Sequence, residues 1–452
     1  MQILTLDQGF AWIESLTNFE RKTPAAREYR LDRMLSVLSV LHNPQRHGKT
    51  IHIAGSKGKG STAAFIAQQL AAIGYRVAVY ASPHVLHYRE RFQILQKDPN
   101  KRLSEDQIDT LLLHIIQKMH HETNSEGGKL SLLQPTTFEL LTAAFFCLAR
   151  ETNSDYVVLE TGLGGRLDAT NVVPQVAAHV CTSIENEHSD ILGTGITNIA
   201  TEKAGIIRSN APTFIGNIPK QAKIVFDDRC AHFSSKAFHI SDHVTIQTEK
   251  TKPIAVFHSG LQLNLESKML GKMQTYNAAL ASLVVHTLHP EIESDILESG
   301  IRNTFLPGRL QAISQHPPIF IDCAHTADSV RNSIQSIQPA MPNGGTAIFG
   351  AVEGKNIQAM ALEISKFFQK IIVCRPGTFK TSNPQAIADE FCTYLPRENV
   401  IIVEDAAQAL HTAMANCTSN GTGVLACGSF YLAGLLLNAA RHNDLIKDSA
   451  CR

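Results

Sequence analysis

The sequence predicts an α/β protein in two parts: a mostly parallel sheet domain with a small antiparallel β segment, then a smaller, doubly wound α/β domain. Three observations carry this. From residue 50 to about 285, short apolar runs alternate with segments of helical period, the pattern of a parallel sheet covered on both faces. At 244–266 the texture changes to three short strand-like runs in close succession. After a break at 300–307 the strand–helix alternation restarts. A chain of 452 residues also exceeds one ordinary core, and the division is expected as 1–300 and 301–452.

In the first part, strands are expected at 51–54, 77–81, 156–160, 178–184 and 213–216. Helices at 62–73 and 137–149 fall between them. The antiparallel runs are 244–247, 254–257 and 261–265. In the second part, 319–323, 346–350, 370–374, 400–403 and 424–427 read as strands, with helices at 406–415 and 431–440, a Rossmann-like order.

Composition narrows the function classes. Hydrophobic residues make up 44% and charged residues 18%, and the formal net charge is zero. No basic excess points to nucleic acid or to an anionic membrane surface, so neither is expected as a partner. Nine cysteines are scattered without a C-x-x-C pair, which reads as reduced thiols rather than disulfides or a zinc site. Residues 1–7 lack a secretory pattern, and apolar runs such as 435–437 are too short to span a bilayer. A cytoplasmic protein is expected.

The first strand runs into Gly55-Ser56-Lys57-Gly58-Lys59-Gly60-Ser61-Thr62. Glycines permit a tight turn that aims backbone N–H groups at an anion, and the helix that follows, beginning near Ser61, presents its positive end to the same charge. Lys59 can span the terminal phosphates of a nucleotide and Ser61 can coordinate the accompanying Mg²⁺. The common phosphate-loop (P-loop) spacing is not kept, because Gly60 separates Lys59 from Ser61 and Ile53 stands at the earlier glycine position.

Open α/β sheets bind ligands beyond the carboxyl ends of their strands, and several strand ends carry useful chemistry. One leads to Ser82-Pro83-His84, one ends in Glu160, and one leads to Glu187-His188. A hydroxyl and a carboxylate suit Mg²⁺. On donor chemistry alone a histidine is an unusual ligand for that ion, and His188 reads as a polar loop residue. Phe138 reads as a core residue of its helix.

The loop resembles the G-T-x-G-K-G-S loop of the ATP-dependent amide ligases that include the Mur ligases and folylpolyglutamate synthases. The run from Glu160 to Asn171, E-T-G-L-G-G-R-L-D-A-T-N, is similar to the E-x-G-x-G-G-R-x-D-A-T-N signature of folylpolyglutamate/dihydrofolate synthases. Ser82-Pro83-His84, Thr136–Ala143 with T-T-F-E-L-L-T-A, and Glu202-Lys203-Ala204-Gly205-Ile206 resemble further segments of that family, in its order.

The resemblance implies ATP-dependent addition of L-glutamate to folates, through an acyl phosphate, with dihydropteroate as a second acceptor. It implies that residues 55–62 hold the triphosphate with Asn277 and that Ser61, Ser82, Glu160 and His188 bind Mg²⁺. Lys203 would be the lysine that many members carbamylate. Arg309 of Leu306-Pro307-Gly308-Arg309, together with Asp322 and His325 of Asp322-Cys323-Ala324-His325, would reach the nucleotide, so that the two parts close on the substrates. Ser82, Pro83, His84 and Phe138 would shape the folate site. Many relatives are monomers, and a monomer is expected.

Four positions depart from the family pattern: Lys57 for Asn, Glu187 for Asp before His188, Thr326-Ala327 for Asn-Pro, and Glu353-Gly354-Lys355-Asn356 for the D-K-D segment. Two other readings compete. A Mur-type ligase acting on another carboxylate would carry a UDP-binding domain, for which the fifty residues before the loop leave no room. A P-loop regulatory ATPase would explain the loop and Glu160 but not Lys203, Arg309 or Asp322-x-x-His325.

Overall fold

The computed structural model describes residues 3–18, 31–125, 128–208, 210–247, 252–417, 421–442 and 445. The chain forms two compact units. The first comprises Met1–Ser82, Tyr88–Glu266 and Thr275–Thr304, and the second Pro83–His87, Ser267–Gln274 and Phe305–Arg452. The division is therefore not one cut, because two short segments from the earlier chain belong to the later unit.

The first unit is built on β1 (Lys49–Ala54), β2 (Val77–Tyr80), β3 (Phe92–Leu95), β4 (Tyr156–Glu160), β5 (Ala178–Cys181), β6 (Thr213–Ile215) and β7 (Ala237–His239), in the order β3-β2-β4-β1-β5-β6-β7. All neighbours are parallel except β2 and β3. β1 and β4 are buried along nearly their whole length, hence the continuous apolar runs. The register sets Ile53 beside Glu160 and Ala54 beside Cys181, so β1, β4 and β5 end at one level and their following loops are neighbours. On one face, Phe145 and Leu148 of the helix Thr137–Glu151 pack with Tyr80, Val157 and Leu159. On the other, the helices Ile196–Ala204 and Lys220–His232 bury Ile199, Ala200 and Phe226 against Cys181 and Ile215. A separate antiparallel sheet contains β8 (Val244–Gln247), β9 (Ile254–Phe257) and β10 (Gln262–Asn264).

The second unit is a six-stranded sheet of β11 (Gln311–Gln315), β12 (Pro318–Ile321), β13 (Gly345–Phe349), β14 (Lys370–Val373), β15 (Val400–Ile402) and β16 (Gly423–Cys427), in the order β11-β12-β16-β13-β14-β15. Only β11 is antiparallel to its neighbour. Helices cover both faces, one over Phe349 and Leu425 and the other over Ile348 and Ala426.

The expected strands are present, several of them a few residues shorter. β3, β7 and β11 are not among the sequence expectations, and all three are edge strands. β3 and β7 are largely half-buried, and β11 alternates and carries an irregularity between Ala312 and Ser314. None shows the continuous apolar run that marks an interior parallel strand. Among the described residues no helix is long and apolar enough to cross a membrane.

Candidate active site

The loop after β1 turns on Gly58, which is left-handed (φ +80) and immediately precedes the helix Lys59–Ile73. That helix starts two residues before Ser61, so Lys59 lies in its first turn. No side chain caps it, and its first N–H groups have no intrahelical acceptor, which leaves them for an anion. A Cβ on residue 58 would lie 2.4 Å from Asn277 Oδ1, so Asn277 of the helix Lys272–Leu288 packs directly on the turn.

The loop is tied to the end of β5. Ser56 N–H donates to Ser183 O (2.7 Å), and Lys57 N–H donates to Ser183 Oγ (3.0 Å). Thr182 Oγ1 donates to Lys57 O (2.5 Å), and Glu185 N–H donates to Ser56 Oγ (2.9 Å). These residues escaped the sequence reading because nothing local says that β5 is the neighbour of β1. Their one signal is hydroxyls at a strand end.

Glu160 closes β4 and is buried. Its carboxylate accepts the Ser82 N–H (3.2 Å) and lies 3.8 Å from Lys59 Nζ. A Cβ at Gly60 would sit 3.2 Å from its Oε2. The fold thus gathers Lys59, Gly60, Ser82 and Glu160, with Ser61 next along the first helical turn. The oxygen donors suit Mg²⁺, which takes few carboxylates and keeps waters. His188 is exposed, in left-handed backbone (φ 52) at the start of the short helix Ser189–Leu192, and its near neighbour is Glu187. Among the described residues no three His, Cys, Asp or Glu side chains gather as a metal cluster.

The run 160–171 works as a brace. Buried Asp168 accepts from Leu163 N–H (2.8 Å), Thr170 N–H (3.0 Å) and Thr170 Oγ1 (2.6 Å). Burial raises its pKa against those bonds. Thr170 Oγ1 also bonds His52 Nε2 (2.9 Å) beneath the sheet, where burial and then Arg208 hold His52 neutral. The Arg166 guanidinium binds Glu202 Oε1 (2.8 and 3.0 Å), and Asn171 Nδ2 donates to Gly205 O (3.2 Å). The helix Ile196–Ala204 is fastened to the loop in this way, and Lys203 is placed under the turn.

Lys203 is 2% exposed. Its ammonium donates to Gly55 O (2.8 Å) and Glu187 Oε1 (3.3 Å). Burial, then the Lys59 charge, push its pKa down to about 8, against the pull of Glu187. Burial alone would raise Glu187, but Lys203, Lys57 and Lys59 outweigh it and hold the carboxylate below its usual value. Phe138 lies at the margin of the core: it packs against the core cluster beside Tyr80 but is half-buried at the start of its helix, and a Cβ on Gly162 would lie 2.5 Å from its Cζ. Thr136 and Glu139 form the capping box of that helix, and Arg33 binds Glu139 (2.9 Å).

In the second unit, Gly308 is left-handed (φ +65) and presses on Cys323, where a Cβ would meet Sγ at 2.7 Å. Cys323 N–H donates to Gly308 O (2.8 Å). This join brings Arg309 to the end of β12, and its guanidinium lies 4.8 Å from the centre of the Phe430 ring. The His325 ring is 5.6 Å from the same ring, with Nδ1 bonded to Cys323 O (2.9 Å). Phe430, unmarked in the sequence, is their shared platform. Burial raises the pKa of Asp322 against the Ser333 hydroxyl and Arg309. Thr326, where the family has Asn, caps the helix Ala327–Ile337 with Ser329. Pro83 and His84 belong to this unit, whereas Ser82 and Phe138 belong to the first. Val85 packs there, with its carbonyl 2.2 Å from where a Cβ on Gly434 would sit.

Residues 108–285 match the Mur ligase middle domain, and residues 308–430 match the Mur ligase, glutamate ligase domain. The dihydrofolate synthase/folylpolyglutamate synthase of Escherichia coli is 31% identical over 430 residues, 93% of each chain. The chain belongs to the dihydrofolate synthase/folylpolyglutamate synthase family. The Bacillus subtilis member is 31% identical over 350 residues, 73% of this chain and 77% of its own. Among solved structures, the bifunctional folylpolyglutamate synthase/dihydrofolate synthase of Yersinia pestis, complexed with AMPPNP and Mn ion, has a TM-score of 0.81 at 26% identity, covering 98% and 99% of the two chains. As a member of this family the chain is an ATP-dependent ligase with the two-part α/β fold of the Mur ligases.

Proposed function

We propose that this chain joins L-glutamate to the free carboxylate of a folate, with tetrahydrofolates as acceptors for chain extension and dihydropteroate as the acceptor of the first glutamate. It would act as a cytoplasmic monomer. The observation that carries the reading is the uncapped helix start at Lys59, with Lys59 and Lys57 beside it and Glu160 facing it. It sits in a chain whose relatives are named for this reaction.

A carboxylate resists attack by an amine, so it must first be activated. Transfer of the γ-phosphoryl group of ATP to the acceptor carboxylate gives an acyl phosphate and ADP. The glutamate amine then adds to the acyl carbon, loses a proton, and phosphate departs. The protein supplies position and charge. The N–H groups of residues 58–61 and the Lys59 ammonium take the phosphate oxygens. Ser61, Ser82, Glu160 and His188 are the residues that would hold Mg²⁺, which neutralises charge on the phosphates when bound. Arg309 and His325 are assigned to the transferring group, and Asp322 and Asn277 to the nucleotide. Phe138, with Ser82, Pro83 and His84, is assigned to the folate ring. The lowered pKa of Lys203 leaves more free amine near neutral pH than an ordinary lysine has, which favours carbamylation by CO₂.

The test is ADP release with Mg-ATP and L-glutamate, adding dihydropteroate or tetrahydrofolate separately, with mass spectrometry of the acceptor. Gain of one glutamate with either supports the reading. ADP release that needs neither acceptor nor glutamate overturns it.

A further inference from the structure

The helices Leu6–Glu14 and Leu31–Val40 precede β1 and lie outside the phosphate loop. Their Phe10, Ile13, Met34, Val37 and Leu38 pack into the core that holds Leu140 and Leu141. Three residues of this early segment, Ile13, Thr17 and Arg33, reach the first turn of the helix Thr137–Glu151. Thr137 N–H donates to Thr17 O (3.0 Å), and the Thr137 hydroxyl donates to Ile13 O (2.9 Å). Arg33 Nε–H is shared between Glu139 Oε1 and Oε2 (2.9 Å each). The buried Glu139 carboxylate also accepts the Thr136 N–H (2.8 Å) and hydroxyl (3.0 Å). Phe138 stands between two anchored neighbours, and successive helical side chains diverge by about 100°. Its ring meets Tyr80 (5.9 Å between ring centres) and is closely approached by Gly162.

We propose that Arg33 and Glu139 are positioning residues of the acceptor site, whose ion pair clamps this turn and holds the Phe138 ring against Gly162 as one wall for the acceptor's ring system. A buried carboxylate that loses its cation is costly where it stands, so without Arg33 the turn shifts and carries Phe138 with it. The capping box alone keeps a helix start, but it ties the turn only to itself. Gly162 follows Glu160 by two residues, and Glu160 faces Lys59. A displaced wall therefore moves the acceptor relative to the phosphate loop, and small misplacements of a reactant lower the rate steeply. The early segment, on this view, is part of the substrate-binding machinery. The inference rests on the assignment of Phe138 to the folate ring.

Steady-state kinetics with tetrahydrofolate, run well below the melting temperature of each variant, test it. Arg33→Met and Glu139→Gln are each expected to raise KM for tetrahydrofolate about tenfold. Gln at this position still completes the capping box, so the helix start survives. The Kd for Mg-AMPPNP should stay within about twofold of wild type, because β5 fastens the phosphate loop independently. The double variant should be no worse than either single one, which isolates the pair whatever else Arg33 touches. Arg33→Lys keeps the charge without the planar fork, should raise KM about threefold, and serves if Arg33→Met does not fold. In a Phe138→Ala background, Arg33→Met should raise KM no further. A lowered melting temperature with wild-type KM in the Arg33 and Glu139 variants overturns the inference. So does a multiplied loss in the double variant, a matching loss of Mg-AMPPNP binding, or an undiminished effect without Phe138. Phe138→Ala separates the two levels. If its KM is that of wild type, the assignment of Phe138 to the folate ring fails and the clamp with it. If it alone raises KM, only the clamp fails.

Discussion

Gly58→Ala tests the phosphate loop at its tightest point. Residue 58 is left-handed (φ +80), where a side chain costs about 1–2 kcal/mol. The added methyl would also sit 2.4 Å from Asn277 Oδ1, too close to keep. Asn277 is buried, so turning its amide away sacrifices hydrogen bonding worth about 1–2 kcal/mol. Together these come to about 3 kcal/mol against the binding geometry, or roughly 150-fold in the Kd for Mg-AMPPNP. The global fold should lose much less, because the loop can relax without disturbing β1. Titration calorimetry and a thermal melt on the same sample separate the two effects. In an Asn277→Ala background the contact is gone, and Gly58→Ala should cost only about 1–2 kcal/mol from the backbone. Binding within about threefold of wild type, or an undiminished penalty without Asn277, would refute the reasoning.

Arg309→Ala should lower kcat/KM by about 100-fold or more with an unchanged melting temperature, and an unchanged kcat/KM removes Arg309 from the phosphate site. The Lys203 amine has a folded pKa of about 8, against 10.5 in its ordinary state. The unfolded chain therefore binds more protons between these values, and stability rises with pH across the window, the penalty being complete below pH 8. Urea unfolding should show wild type gaining about 2–3 kcal/mol on Lys203→Met between pH 8 and 10, and parallel profiles would contradict the buried ammonium. Asp168→Ala strands the donors of Leu163 and Thr170 and should cost about 3 kcal/mol. A urea midpoint equal to wild type would show that the brace bears no load.

Much of the fold is legible in the chain, for a physical reason. Interior parallel strands must be apolar on both faces, and 51–54, 156–160 and 424–427 show it. Edge strands face solvent on one side, which hides β3, β7 and β11. The glycine turn before an uncapped helix is legible because glycine and lysine at fixed spacing have few other uses. Its fastening is not, since Thr182, Ser183 and Glu187 come to it only through the pairing of β5 with β1. Phe138 is only half legible: an aromatic residue in an apolar helix reads as core, against which it does pack, and only the approach of Gly162 places it near the loop as well. Phe430 is silent for a similar reason, its role emerging only where Arg309 and His325 meet it. The departure at Thr326 is resolved by its chemistry, because Thr caps a helix nearly as well as Asn.

The central claim, that a folate carboxylate is phosphorylated before glutamate joins it, has a direct isotopic test. Tetrahydrofolate labelled with ¹⁸O in its terminal carboxylate is incubated with the protein, Mg-ATP and L-glutamate, and the released phosphate is analysed by mass spectrometry. Activation through an acyl phosphate sends one carboxylate oxygen to phosphate for each amide formed, so the account predicts singly labelled phosphate in step with glutamylated product. Unlabelled phosphate alongside the amide, or ATP consumption with no amide at all, would contradict it.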